Sequence, residues 1–134
     1  MADSRRNPAA LIEYLAAYER VVEVGIGRRT DLARALAEQG VSVTATDIYD
    51  RDVPENVAFV RDDIVDPDPA VYADADAIYA RNLPPELHRP TLGVARNADA
   101  DFLFTTLGGD QPAVPVERKT IETGTVYVAR ARRE

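Results

Sequence analysis

Short β-branched runs alternate along this chain with stretches in which apolar residues recur every three or four positions, the mixed periodicity of an α/β fold. Asn7-Pro8 offers a capping side chain and then proline at the first helical position; Leu11, Ile12, Leu15 and Tyr18 follow at helical spacing. They predict a helix to about Glu19. Residues 21–24 (VVEV) form a run stopped by Gly25 and predict a buried strand. Thr30 can cap a second helix, lined by Leu32, Ala33, Leu36 and Ala37 and stopped by Gly40. Strands are expected at 41–46, closed by Asp47, and at 56–60, after the loop YDRDVPE.

Asp66-Pro67 and Pro69 break the next segment into turns, with one helical turn near Val71-Tyr72. A fourth strand is expected at 77–80. Pro84-Pro85-Glu86 opens a helical stretch that Pro90 divides in two. Residues 101–106 (DFLFTT) predict a fifth strand, and 116–120 with 125–129 predict a hairpin about Glu122-Thr123-Gly124. The order implies one α/β domain spanning 1–134. It is Rossmann-like, with a mostly parallel sheet, helices on both faces and a C-terminal antiparallel hairpin.

Composition narrows the setting. The 134 residues suit one core and leave no room for a separate substrate domain. No apolar run is long enough to span a bilayer, and MADSRRNP lacks the apolar stretch of a signal peptide, so a cytoplasmic location is expected. Without cysteine there is no disulfide, thiolate metal site or Cys nucleophile. Acidic residues number 23 against 16 basic ones, for a net charge of −7, and Lys119 is the only lysine. So Asp-rich and Lys-poor a surface fits a salt-accumulating, halophilic cytoplasm; a GC-rich coding bias toward Arg is the alternative. The same charge argues against nucleic acid as a partner. The acidic loop residues Asp50, Asp52, Asp62, Asp63, Asp66 and Asp68 lack the spacing of a metal loop, and no metal is expected.

Gly25 and Gly27 follow a strand directly, where glycine permits a tight turn and lets a ligand touch the backbone. A third glycine is missing: Thr30 stands where a dinucleotide pattern has one, and Arg29 where a methyl-donor pattern does. Glu23 would repel a pyrophosphate and attract the sulfonium and ammonium of S-adenosylmethionine; its other role is to pair with backbone or Arg28. Asp47 lies twenty residues beyond Gly27, where a strand-ending acid can accept both ribose hydroxyls and disfavour a 2′-phosphate. The ligand expected is S-adenosylmethionine or its demethylated product, ahead of NAD or a turn with no ligand.

The segment EVGIGRRTDLARALAEQGVSVTATDI resembles the first two motifs of Rossmann-type (class I) S-adenosylmethionine-dependent methyltransferases. With DDIVDPDPAVYADADAIYARNLPPEL, the chain from about Leu11 to Val128 resembles a small archaeal group of unknown function, uncharacterised protein family 0146. The resemblance implies a methyltransferase-like fold and matches Glu23, Gly25 and Gly27 to the methyl-donor loop and Asp47 to the ribose acid. It also implies an acid after the third strand for the adenine amino group, Asp62 or Asp63, with Asp62 favoured.

Residues 82–86 (NLPPE) sit where N6-adenine, cytosine-N4 and glutamine-amide methyltransferases carry an Asn/Asp-Pro-Pro-aromatic motif, here with one residue inserted and no aromatic. Asn82 is thereby a candidate catalytic residue, a turn role being its alternative. His88, the only histidine, is the second candidate, as a general base, or else an exposed helical side chain. Arg81 can bind an anionic substrate or a neighbouring carboxylate, and Gly108-Gly109-Asp110 is a turn or a lid. A minimal methyltransferase is one expectation; a chain this short would draw its acceptor pocket from a homodimer mate, a partner protein or a very small acceptor. A non-catalytic sensing or subunit module is the second, and an NAD-binding domain the third.

Overall fold

The computed structural model describes residues 9–122 and 124–131. Seven strands form one sheet in the order β3-β2-β1-β4-β5-β7-β6. They are β1 (Arg20–Val24), β2 (Ser42–Asp47), β3 (Ala58–Arg61), β4 (Ala77–Ala80), β5 (Asp101–Phe104), β6 (Glu117–Ile121) and β7 (Gly124–Ala129). β1 to β5 pair in parallel; β7 runs antiparallel to β5 and to β6. The parallel core and closing hairpin are those expected from the pattern. β4 and β5 are buried throughout, as strands covered on both faces must be.

α1 (Ala9–Leu15) and α2 (Asp31–Glu38) cover one face, setting Leu11, Leu15, Leu32 and Leu36 against Val21, Val43, Tyr79 and Val128. α3 (His88–Ala98) covers the other, with Leu92 and Ala95 against Val22, Ile78, Phe102 and Phe104. No helix joins β2 to β3. No helix of the described residues is long and apolar enough to cross a membrane.

Three local expectations are corrected and one, the helical turn near Val71-Tyr72, is sharpened. α1 ends at Leu15, and Tyr18 instead donates to Asp101 Oδ2 at 2.8 Å. Thr30 precedes α2, but its side chain makes no capping bond. The helical turn before β4 is a 3₁₀ turn over Pro69–Val71, capped by the Asp68 side chain on the Ala70 amide. Pro90 divides nothing: a 3₁₀ turn (Pro85–Leu87) leads into α3 at His88, and Pro90 stands in the first turn of α3. First-turn amides have no partner within the helix, so the missing N–H is without penalty there. The Asn7-Pro8 start and Thr123 of the hairpin turn lie outside the described residues.

Candidate functional site

β1 delivers the chain into a turn at the carboxyl edge of the sheet. The amides of Gly25 and Ile26 both donate to the Thr46 carbonyl at 3.0 Å, folding the turn back onto the tip of β2. Gly25 and Gly27 have φ of +69° and +59°, the left-handed region where a side chain is strained. No atom lies within 4 Å of the place a Cβ would occupy on either, so the turn presents open backbone. Ile26 between them is buried and pins the turn to the core.

Asp47 meets this turn. Its Oδ2 accepts the Gly27 amide at 2.8 Å and its Oδ1 the Tyr49 amide at 3.0 Å; Arg51 Nε lies 3.4 Å from Oδ1. Only 8% of Asp47 is exposed. Beyond it, Ile48 and Tyr49 are 51% and 60% exposed, apolar groups left in solvent beside a carboxylate.

Glu23 is buried rather than displayed toward the turn. The parallel register sets it opposite Tyr79, whose hydroxyl donates to Oε1 at 2.9 Å, while Arg81 Nε stands 3.9 Å from Oε2. Burial pushes the Glu23 carboxyl up to about 7, partly offset by the Arg81 charge and the Tyr79 bond. The Tyr79 phenol is pushed well above its ordinary value by burial and then by the Glu23 charge. Sequence alone suggested that Glu23 offers a free negative charge to a ligand; in the fold that charge is suppressed by burial and answered by Arg81.

Arg81 does contact neighbouring carboxylates. Its Nη2 donates to the Arg29 carbonyl at 3.0 Å and to Asp31 Oδ1 at 2.9 Å, so the guanidinium bridges from before the turn to the start of α2. Burial works to raise the Asp31 carboxyl, but the Arg81 bond and charge outweigh it and hold it below its ordinary value. Arg28 and Arg29 are exposed.

Of the two acids after β3, Asp62 is half-buried with both oxygens engaged: Oδ2 accepts the Tyr72 hydroxyl at 2.6 Å and Oδ1 the Asp68 amide at 3.0 Å. Asp63 is exposed, with Oδ1 on the Val65 amide at 2.9 Å. Asn82 takes a positive φ of 54°, and its amide donates to Thr105 Oγ1 at 2.9 Å, knitting the exits of β4 and β5 together. Gly108 also has positive φ, and Asp110 N bonds Leu107 O at 3.1 Å, so the loop closes on itself as a turn. Among the described residues no three His, Cys, Asp or Glu side chains gather closely enough to hold a metal ion.

His88 departs most from expectation. It is fully buried, not exposed. Its Nδ1 accepts the Ala113 amide at 3.0 Å, which leaves Nε2–H to donate to the Leu83 carbonyl at 2.9 Å. A general base needs a lone pair facing its substrate, and both ring nitrogens are committed to backbone. Tyr79 and the exposed Ile48-Tyr49 pair were missed in the sequence. Register alone brings Tyr79 to Glu23; two apolar residues just past a strand-ending Asp were a readable signal.

A parallel sheet ending in a reversed strand inserted beside β5, with a bare glycine turn abutting an acid at the tip of β2, defines a Rossmann-like fold of the methyltransferase type. The chain belongs to the Uncharacterised protein family (UPF0146), whose sequence profile matches residues 6–132. A UPF0146 protein of Halobacterium salinarum is 55% identical over 125 residues, covering 92% of this chain and 97% of the relative. One from Archaeoglobus fulgidus is 42% identical over 102 residues, covering 75% and 78%. Among solved structures, a TehB-like SAM-dependent methyltransferase from Corynebacterium glutamicum superposes with a TM-score of 0.63 at 17% identity, covering 96% of this chain and 87% of that one. An RNA methyltransferase from Salinibacter ruber in complex with S-adenosyl-L-homocysteine gives 0.63 at 16%, covering 92% and 90%. At such identities the likeness is one of fold.

Proposed function

We propose that this chain binds an adenosine-containing ligand of the methyl-donor class, S-adenosylmethionine or its demethylated product, at the carboxyl edge of β1 and β2. The observation that carries this reading is the 2.8 Å bond from the Gly27 amide to Asp47, which sets an open glycine turn against a fixed carboxylate. Gly25 and Gly27 would let the ligand approach backbone, and Asp47 would accept ribose hydroxyls through its remaining lone pairs. Exposed Ile48 and Tyr49 offer apolar cover for a base beyond the ribose. Between the two acids after β3, the exposed Asp63 has the more accessible carboxylate, since Asp62 already holds Tyr72 and Asp68.

When bound, S-adenosylmethionine supplies a methyl group already activated by its sulfonium. Positioning is then the main demand on the protein, and Asn82, at the exit of β4, is the residue to hold an acceptor. A second reading, a ligand-sensing or subunit module without catalysis, is favoured by the missing third glycine of the turn and by the absence of an aromatic in residues 82–86 to cover an acceptor.

Titration calorimetry with S-adenosylmethionine, S-adenosylhomocysteine and NAD tests the proposal. The methyl-donor pair is expected to bind and NAD not. Asp47→Ala should weaken binding at least about tenfold by removing the ribose acceptor, its fold verified by circular dichroism. Binding of NAD alone overturns the reading. Methyl transfer from labelled donor into a cell extract then separates enzyme from sensor.

A further inference from the structure

We propose that a cavity on the α3 face of the sheet is a second binding site, for a small organic amine: a protonated nitrogen carried on an aryl or alkyl body. This site does not depend on the nucleoside reading, and no residue of the glycine turn takes part in it.

The cavity has a volume of about 220 Å³ and lies between the crossover that leads into β4 and the last turn of α3. An apolar void of about 150 Å³ admits a benzene ring, so this one has room for a ring and a short arm. The crossover lines it with carbon. Pro67 and Pro69 bring rings and no amide donor, and Tyr72 spends its hydroxyl on Asp62, which leaves its ring as its part of the wall. Buried Val94 supplies the apolar side of α3.

The polar end of the cavity is the close of α3, and its sign is negative. Of the last four carbonyls of the helix, those of Ala95 and Arg96 accept the amides of Ala100 at 2.9 Å and Asp99 at 3.2 Å. No donor among the described residues reaches the carbonyls of Asn97 and Ala98, which carry the negative end of the helix dipole. Asn97 and Asp99 line the cavity. The Asp99 carboxylate is exposed and has no ion-pair or hydrogen-bond partner among the described residues. Arg96, the basic residue of that last turn, is not part of the lining. Acceptors without a cation therefore border an apolar void. That suits an ammonium on a carbon body and opposes a carboxylate or a phosphate. Because α3 leads through Asp99 and Ala100 straight into β5, this end of the cavity lies at the amino edge of the sheet. The glycine turn occupies the opposite edge.

The probe is phenethylamine, with 2-phenylethanol and 3-phenylpropionate as neutral and anionic counterparts. Each is titrated into the full chain and followed by the methyl resonances of Val94 and Ala73, both in the cavity wall. Phenethylamine is expected to shift both methyls and to bind at least about tenfold more tightly than 3-phenylpropionate. Asp99→Asn removes the charge and keeps a side chain that tolerates the φ of 57° found there. It should weaken the amine about fivefold and leave the alcohol unchanged. If that variant does not fold, salt decides on the parent: the advantage of amine over alcohol should shrink by about 1 M potassium chloride. Methyls that stay in place at millimolar amine, an acid that binds as well as the amine, or an amine affinity indifferent to both Asp99→Asn and salt overturns the assignment.

Discussion

Glu23 has an ordinary value of 4.5 and rises to about 7 in the fold, so the folded chain holds a proton that the unfolded chain releases across that interval. The sign follows. Glu23's contribution to stability is fully present below the unfolded value and is lost as pH climbs through the folded one. Replacing it by glutamine keeps a bond to Tyr79 and removes the titration. Glu23→Gln should therefore gain on the parent between pH 5 and 8, by up to about 3 kcal/mol, as read from urea unfolding at each pH. A difference that stays constant across that range contradicts the burial of this carboxyl. Little of this was legible in the residue string. The pairing of Glu23 with Tyr79, fifty-six positions away, comes from strand register, which the strand pattern predicts only as a neighbourhood. The glycines and Asp47 were legible because backbone conformation and the end of a strand leave local marks. Which way Glu23 and Arg81 face depends on what covers them.

At the scale of elements, buried strands were read correctly because continuous β-branched and aromatic runs have no other home. Proline signals a break inside a helix but not in its first turn, which asks nothing of an amide, so Pro90 marks the start of α3 rather than a division. His88 shows why that region resists reading. Its partners are the carbonyl of Leu83 and the amide of Ala113, backbone atoms that any residue would supply, so no side-chain pattern announces them. The imidazole also packs against Phe104 at 4.4 Å, tying α3, the exit of β4 and the loop after β5 into one unit. Its loss removes the partner of the Leu83 carbonyl, in a buried residue, and of the Ala113 amide, and leaves a void against an aromatic ring. His88→Ala is expected to lower unfolding stability by about 3 kcal/mol. Adenosine affinity at the glycine turn, across the sheet, should change less than twofold. A variant as stable as the parent in urea would show that the imidazole is not the peg described.

For the whole molecule, the governing quantity is charge. The net −7 is spread over a small surface, with acidic side chains on the loop between β2 and β3 and on the crossover into β4. Repulsion among exposed charges reaches about 10 Å at 0.1 M salt and about 3 Å at 1 M, so added salt relieves it in the compact state more than in the expanded chain. The melting temperature should rise from 0.1 M to 2 M potassium chloride, and a fall would exclude salt adaptation as the reason for the acidic surface. Salt also strengthens apolar burial, so the rise must be traced to charge. Asp52, Glu55 and Asp74 are exposed carboxylates. Converting them to Asn, Gln and Asn removes three net negative charges and leaves the core untouched. If repulsion is the cause, this triple variant melts higher than the parent at low salt and gains less on going to high salt, so the two curves converge. If burial is the cause, the curves stay parallel, and the surplus of aspartate reflects codon usage rather than the solvent in which the fold must stand.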